Sequence, residues 1–137
     1  FNLKQAGRTE LVDAVGATNT YLLNNYLRVV YCIESADADA LKEAFMKLYN
    51  LWVKEEDVEP MMNVVCLYRD GKWYLFVIPR GAFRPWQYTA EGDQQLLVSP
   101  ATVEVSGLFI TPVKEHFERI TKEDVVDILT QCTINKE

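Results

Sequence analysis

The chain of 137 residues is 49% hydrophobic and 25% charged, a composition typical of one globular domain with a sizeable core. It contains no apolar run of the ~20 residues that a membrane-spanning helix needs, and no signal peptide is recognisable. The net charge of −6, without a basic stripe, argues against nonspecific binding of nucleic acid.

The N-terminal residues 1–20 are small and polar. They predict an irregular arm that packs on the domain or joins an upstream domain. The remaining residues, 21–137, are expected to form a single domain.

The first half of this domain predicts a strand followed by a helix. The strand is expected over Tyr26–Glu34, where β-branched and aromatic residues concentrate. The helix is expected over about residues 38–54, because early aspartates can cap its amides and apolar residues recur with a helical period. The main apolar positions are Leu41, Phe45, Leu48 and Trp52.

A hairpin is the clearest local feature of the sequence. Two apolar runs, Met62–Tyr68 and Trp73–Pro79, are joined through Asp70-Gly71, and glycine accepts the positive φ that such a turn requires. Because both runs are long and apolar, both strands are predicted to lie centrally in the sheet.

The C-terminal part starts with a long irregular loop over residues 80–95, and long loops tend to be functional. The last helix is predicted to begin at Thr121, with Asp124 completing a capping box. Three short strands are expected between loop and helix, over Leu96–Val98, Thr102–Val105 and Leu108–Thr111. The predicted fold class is therefore α+β, an antiparallel sheet with two main helices packed on it.

Few residues of the chain suit nucleophilic or metal chemistry. The single histidine, His116, stands in a polar segment and is predicted to be an exposed side chain in a loop. The cysteines Cys32, Cys66 and Cys132 have apolar neighbours and predict buried or half-buried thiols in a reducing compartment, the cytoplasm. We therefore expect no catalytic residue in this chain, no cofactor and no metal.

Two arginines, Arg80 and Arg84, follow the hairpin and suit the recognition of phosphate, because guanidinium groups bind phosphate oxygens bidentately. Trp86 and Tyr88 are placed to stack on a base. The alternative is structural: the aromatic residues cover the core, and the arginines pair with the carboxylates of Glu91, Asp93 or Glu104.

A series of short motifs resembles a known family in its order and spacing. The motifs are Glu59-Pro60-Met61-Met62-Asn63, Pro79-Arg80, Arg84-Pro85, Ala90-Glu91-Gly92-Asp93, Ser99-Pro100 and Ser106-Gly107-Leu108-Phe109-Ile110-Thr111-Pro112. Over about residues 20–132 the chain resembles the C-terminal half of the GDP-L-galactose phosphorylase and diadenosine tetraphosphate phosphorylase (ATP adenylyltransferase) group. It looks closest to an uncharacterised bacterial nucleotidyltransferase branch. The resemblance implies a histidine-triad-like fold and a parent enzyme that works through a nucleotidyl-histidine.

The departures from this family bear on activity. The family's nucleophilic H-x-H-x-Q motif lies in the N-terminal half and has no counterpart here. Phe83 stands where the branch usually has histidine, and Ala101 and Glu104 stand where it usually has glycine and aspartate. The resemblance therefore implies a noncatalytic half that partners an upstream catalytic domain.

The implied ligand is a nucleotide or a nucleotide-sugar, with Asn63, Arg80 and Arg84 as the candidate binding residues. For Asn63, a structural role in capping the end of a strand is an equal alternative. At the level of function, the alternatives are a noncatalytic module that binds a protein partner through Trp86 and Tyr88, and a small-molecule-binding module.

Overall fold

The computed structural model describes residues 9–23, 28–56 and 58–134, which form two compact units divided after Pro79. The described part of the first unit contains β1 Thr9–Val15, β2 Thr18–Leu23, β3 Tyr31–Ser35, α1 Ala38–Trp52, β4 Met62–Arg69 and β5 Lys72–Pro79. The described part of the second contains α2 Thr102–Val105, α3 Lys114–Arg119 and α4 Lys122–Cys132, with single 3-10 turns at Trp86–Tyr88 and Gly92–Gln94.

The strands of the first unit form one antiparallel sheet in the order β1-β2-β3-β5-β4. Helix α1 packs on one face of this sheet. Their shared core consists of Ile33, Leu41, Ala44, Leu48, Leu75 and Val77, and each large apolar side chain that is fully buried there contributes about 1.5–3 kcal/mol. The predicted α+β class and antiparallel sheet are confirmed.

Local signals account for α1 and for the hairpin, and both predictions are confirmed. The Asp37 carboxylate accepts hydrogen bonds from the amides of Asp39 and Ala40 at 2.8 and 2.9 Å, which caps the first turn of α1. In the hairpin, Asp70 and Gly71 have φ angles of 53° and 76°. Two successive positive φ angles define the turn type that matches the twist of the flanking strands.

The sheet corrects the prediction that both hairpin strands are central. The hairpin brings β5 back to pair with β3, so β4 ends the sheet on that side. Most of β4 after Asn63 is exposed, although its sequence is as apolar as that of β5. Apolarity alone could not separate the two strands, because strand order is set by the path of the chain.

The structure also corrects the irregular arm expected over residues 1–20. Residues 1–8 lie outside the described residues, but 9–15 and 18–23 form the paired strands β1 and β2. Gly16, with φ 59°, begins the two-residue turn between them. A connection to an upstream domain stays a prediction. Of the strand expected over Tyr26–Glu34, residues 26 and 27 lie outside the described residues, and the described strand β3 starts at Tyr31.

The second unit has its own small core, in which Ile128 of α4 meets Leu96 and Val98, with Phe109 and Ile120 beside them. None of the three short strands predicted here is present. Residues 96–98 and 108–111 are irregular, and Thr102–Val105 is a helical turn. The Glu104 carboxylate accepts from the Ala101 amide at 2.8 Å and supports that turn.

The predicted last helix is confirmed as α4. Of the two main helices expected on the sheet, α1 is confirmed there. Helix α4 contributes Ile128 to the core of its own unit. The described residues form four helices in all. No helix among them has the length and apolarity to cross a membrane.

The cap of α4 gives a stability prediction. The Thr121 hydroxyl accepts from the Asp124 amide at 3.1 Å, and the Asp124 carboxylate accepts from the Thr121 amide at 2.8 Å. We expect Thr121→Ala to lower the free energy of unfolding by about 1 kcal/mol in urea denaturation. Thr130→Ala is the matched control, because the Thr130 hydroxyl donates to the Val126 carbonyl within the helix and lies away from the first turn. Equal losses in the two variants would contradict the capping role.

Candidate functional site

The predicted binding residues are divided between the two units. Asn63 is half-buried on β4 and pairs with Ile78, one residue inside the strand. Arg80 and Arg84 lie in the second unit, in one loop of residues 80–88 that follows the hairpin. We call this segment the arginine loop.

Arg80 is buried and holds the arginine loop together. Only 9% of the residue is exposed. Its Nε donates to the Cys132 carbonyl at 2.8 Å, and its Nη2 donates to the carbonyls of Ala82 and Phe83 at 2.9 and 3.2 Å. The guanidinium group thus joins the loop to the C-terminal end of α4. Its contact with a substrate stays a prediction.

A second set of hydrogen bonds fastens the other end of the arginine loop. Buried Gln87 donates through Nε2 to the Asp127 carboxylate at 2.6 Å and accepts from Gln131 Nε2 at 3.0 Å. The Trp86 amide donates to Gln131 Oε1 at 2.9 Å. Because α4 holds the loop at both ends, the residues between them are presented from a fixed support.

Arg84 differs from Arg80 in almost every respect. It is exposed, and its guanidinium carbon lies 4.1 Å from the centroid of the Tyr88 ring. Within the described residues it has no hydrogen bond or ion pair, so its N–H donors face solvent. A guanidinium held against an aromatic ring is ordered without losing its donors, and it can therefore bind an anion.

Two aromatic side chains of the arginine loop are also exposed. Phe83 is 73% exposed and Trp86 52% exposed. The alternative role expected for Trp86 and Tyr88, covering the core, does not describe Trp86, whereas Tyr88 is half-buried. Within four residues the loop therefore presents three exposed groups: the phenyl ring of Phe83, the guanidinium of Arg84 and the indole of Trp86.

The prediction that His116 is an exposed side chain in a loop is wrong. His116 lies on α3, is only 7% exposed, and its Nδ1 accepts from the Leu97 amide at 3.1 Å. The imidazole that accepts through Nδ1 carries its proton on Nε2. Its available lone pair is thus used by the backbone and is not free for attack on phosphorus. The polar residues around His116 gave no indication of burial, because His116 is the one residue of this six-residue helix that faces inward.

The cysteines divide into two buried thiols and one exposed thiol. Cys32 and Cys132 are buried, whereas Cys66 on β4 is exposed, contrary to the expectation of three buried or half-buried thiols. Burial raises the pKa of Cys32 to about 12. Burial also raises the pKa of Cys132, although the nearby Arg80 opposes the shift. Buried thiols that keep their protons are poor nucleophiles.

The described residues hold no group of three or more His, Cys, Asp or Glu side chains that suits a metal ion. A small cleft of about 80 Å³ in the first unit lies beside the Lys47–Asp13 ion pair. Ligand sites usually measure about 300–1,000 Å³, so this cleft is too small for a nucleotide.

Comparison with protein-family models, with curated proteins and with solved structures gives no match for this chain. The family resemblance, and the functional roles that it implies, thus stay predictions.

The cysteine environments predict selective alkylation. At about pH 8, iodoacetamide should modify Cys66 in the folded chain and spare Cys32 and Cys132, because only exposed thiolates react. Mass spectrometry of peptides locates the label. The variant Cys66→Ser should take up label only after denaturation. Fast labelling of Cys32 in the native state would contradict the burial described here.

The contacts of Arg80 predict a structural effect of its removal. In Arg80→Ala, the carbonyls of Cys132, Ala82 and Phe83 lose a charged donor, and we expect a loss of roughly 3 kcal/mol in the free energy of unfolding. Arg84→Ala, which removes the same side chain from an exposed position, should change the free energy of unfolding by less than about 0.5 kcal/mol. Urea denaturation measures both. Similar values would contradict the anchoring role of Arg80.

Proposed function

We propose that this chain is the noncatalytic C-terminal half of a nucleotidyltransferase or phosphorylase, and that its arginine loop contacts a nucleotide or nucleotide-sugar. The observation that carries the proposal is that two arginines of the same loop have opposite environments. Arg80 is fixed to backbone carbonyls, while Arg84 lies exposed on the Tyr88 ring of the same loop. A fixed loop with an ordered, exposed guanidinium is a suitable phosphate contact.

The neighbouring aromatic side chain supports the same ligand. Trp86, two residues after Arg84 in the loop, is also exposed. Indole rings stack on nucleobases with about 1–3 kcal/mol per base, and guanidinium groups bind phosphates bidentately. One loop can therefore address the charged and the aromatic parts of a nucleotide.

The noncatalytic role follows from the nucleophiles that the chain offers. Nucleotidyl transfer needs a nucleophile in line with the leaving group, together with donors that stabilise the charged phosphorus centre. The lone pair of His116 is taken by the Leu97 amide, Cys32 and Cys132 are buried, and the exposed Cys66 belongs to the first unit, whereas the arginine loop belongs to the second. In our proposal an upstream domain with the H-x-H-x-Q motif supplies the nucleophile, and this chain supplies donors and scaffold. Its free cysteines support a reducing compartment, the cytoplasm.

A second candidate function is protein binding through the same loop. The observation that favours it is the exposure of Phe83 and Trp86. Tryptophan and arginine are the side chains most enriched among residues that dominate protein interfaces. This candidate needs the aromatic rings rather than the guanidinium group, so substitutions can separate the two functions.

Titration of ATP into the 137-residue chain tests the proposal. We expect the indole N–H resonance of Trp86 to shift on binding in NMR spectra. Arg84→Ala should weaken the affinity about tenfold or more, because it removes charge-assisted hydrogen bonds to phosphate. The control Lys42→Ala removes one positive charge from the exposed face of α1 and should leave the affinity unchanged.

Absence of ATP binding, or equal affinities in Arg84→Ala and Lys42→Ala, would contradict the nucleotide contact. An unchanged affinity for ATP, combined with loss of a partner complex in Trp86→Ala, would support the protein-binding function instead.

A further inference from the structure

The two edges of the sheet are built differently. The edge strand β1 has a register shift between Leu11 and Asp13, which leaves Val12 as a bulge. At the other edge, β4 pairs with β5 without a shift from Met62 to Arg69. Bulges and charged side chains are the usual means by which edge strands avoid pairing with another chain. β4 lacks the first of these protections.

The turn of the hairpin shows which backbone groups β4 presents outward. The two-residue turn Asp70-Gly71 is closed by Arg69 and Lys72, which form a hydrogen-bonded pair. Because pairs alternate along an antiparallel ladder, every second residue of β4 directs its N–H and C=O away from β5. These residues are Met62, Val64, Cys66 and Tyr68.

The side chains of β4 also lack the charges that protect an edge. From Met62 to Tyr68 the strand contains no charged residue. Val64, Leu67 and Tyr68 are all among the exposed apolar side chains. Only Arg69, the last residue of the strand, is charged. Among the described strands none pairs with this side of β4, so the edge combines outward-facing backbone groups with exposed apolar side chains.

Charges at the two ends of β4 indicate the direction of pairing. Exposed Glu59 precedes the strand, and exposed Arg69 ends it. The ion pair of Arg69 with Asp70 is exposed, so it contributes little and can exchange. An antiparallel arrangement of two copies places the acidic end of each strand beside the arginine of the other, whereas a parallel arrangement places like charges together.

We propose that β4 pairs antiparallel with β4 of a second copy of this chain, about a two-fold axis at Val65. In this register Met62 lies opposite the partner's Tyr68, and Val64 lies opposite the partner's Cys66. All four outward-facing residues then form hydrogen-bonded pairs, and the two sheets continue as one. The contact is self-complementary, as a two-fold interface requires.

The size of this contact sets its strength. Two paired edge strands bury less than the ~1,200–2,000 Å² of a stable standard interface. We therefore expect a weak dimer with a dissociation constant in the micromolar to millimolar range. The proposal is independent of any nucleotide contact by the arginine loop.

Sedimentation velocity over a range of concentrations, under reducing conditions, tests the dimer. Val64→Lys places two lysines near the two-fold axis and should raise the dissociation constant about tenfold or more. Val12→Lys makes the same substitution on the opposite edge, where Val12 is also exposed, and should leave the dissociation constant unchanged. A monomer at every concentration up to about 1 mM, or equal weakening by both variants, would overturn the proposal.

Cross-linking tests the register in the unmodified chain. In the proposed register each Cys66 is diagonal to the partner's Cys66, at about 7–8 Å. A short bismaleimide should therefore give a covalent dimer, and Val64→Lys should suppress it. A chain that dimerises in solution but gives no Cys66 cross-link would overturn the antiparallel β4 contact.

Discussion

The second unit depends on the hydrogen bonds that the buried guanidinium of Arg80 donates. A charge that is removed from water without partners costs several kcal/mol, and backbone carbonyls that accept from the guanidinium offset this cost. The carbonyls of Ala82 and Phe83 belong to the loop, and that of Cys132 belongs to the end of α4. The Arg80 guanidinium thus donates to carbonyl oxygens of a loop and of a helix end, and carbonyls at a helix end lack donors within the helix.

This arrangement gives two arginines of one short segment different roles: Arg80 supports the loop, and Arg84 is left exposed for the proposed contact. Arg80 and Arg84 are the same residue type, four positions apart, yet one is buried and the other is exposed over Tyr88. If both were exposed, the loop would have to be ordered by its ligand, and the entropy of ordering would reduce the affinity. Because Arg80 and the Gln87–Asp127 hydrogen bond fix the backbone beforehand and the Tyr88 ring holds the Arg84 guanidinium, little of the loop remains to be ordered on binding.

The extent to which the sequence predicts this structure depends on the range of the interactions. The turn at Asp70-Gly71 and the cap at Thr121 were predictable, because each is decided by residues within four positions of one another. The burial of His116 was not, since its partner Leu97 is 19 positions away. The same holds for Arg80, whose bond to Cys132 spans 52 positions. The site residues could be found by residue type, but their roles required the fold.

The acidic charge of the chain does not conflict with an anion contact at Arg84. At physiological ionic strength the Debye length is about 8 Å, so charges distributed over the rest of the surface are largely screened at the arginine loop. A phosphate in contact with Arg84 lies well inside that distance, where the ordered guanidinium sets the local field. A long polyanion such as a nucleic acid spans many Debye lengths and meets the net charge of −6 as a whole. The net charge of −6 is therefore compatible with the proposed contact between Arg84 and a single nucleotide.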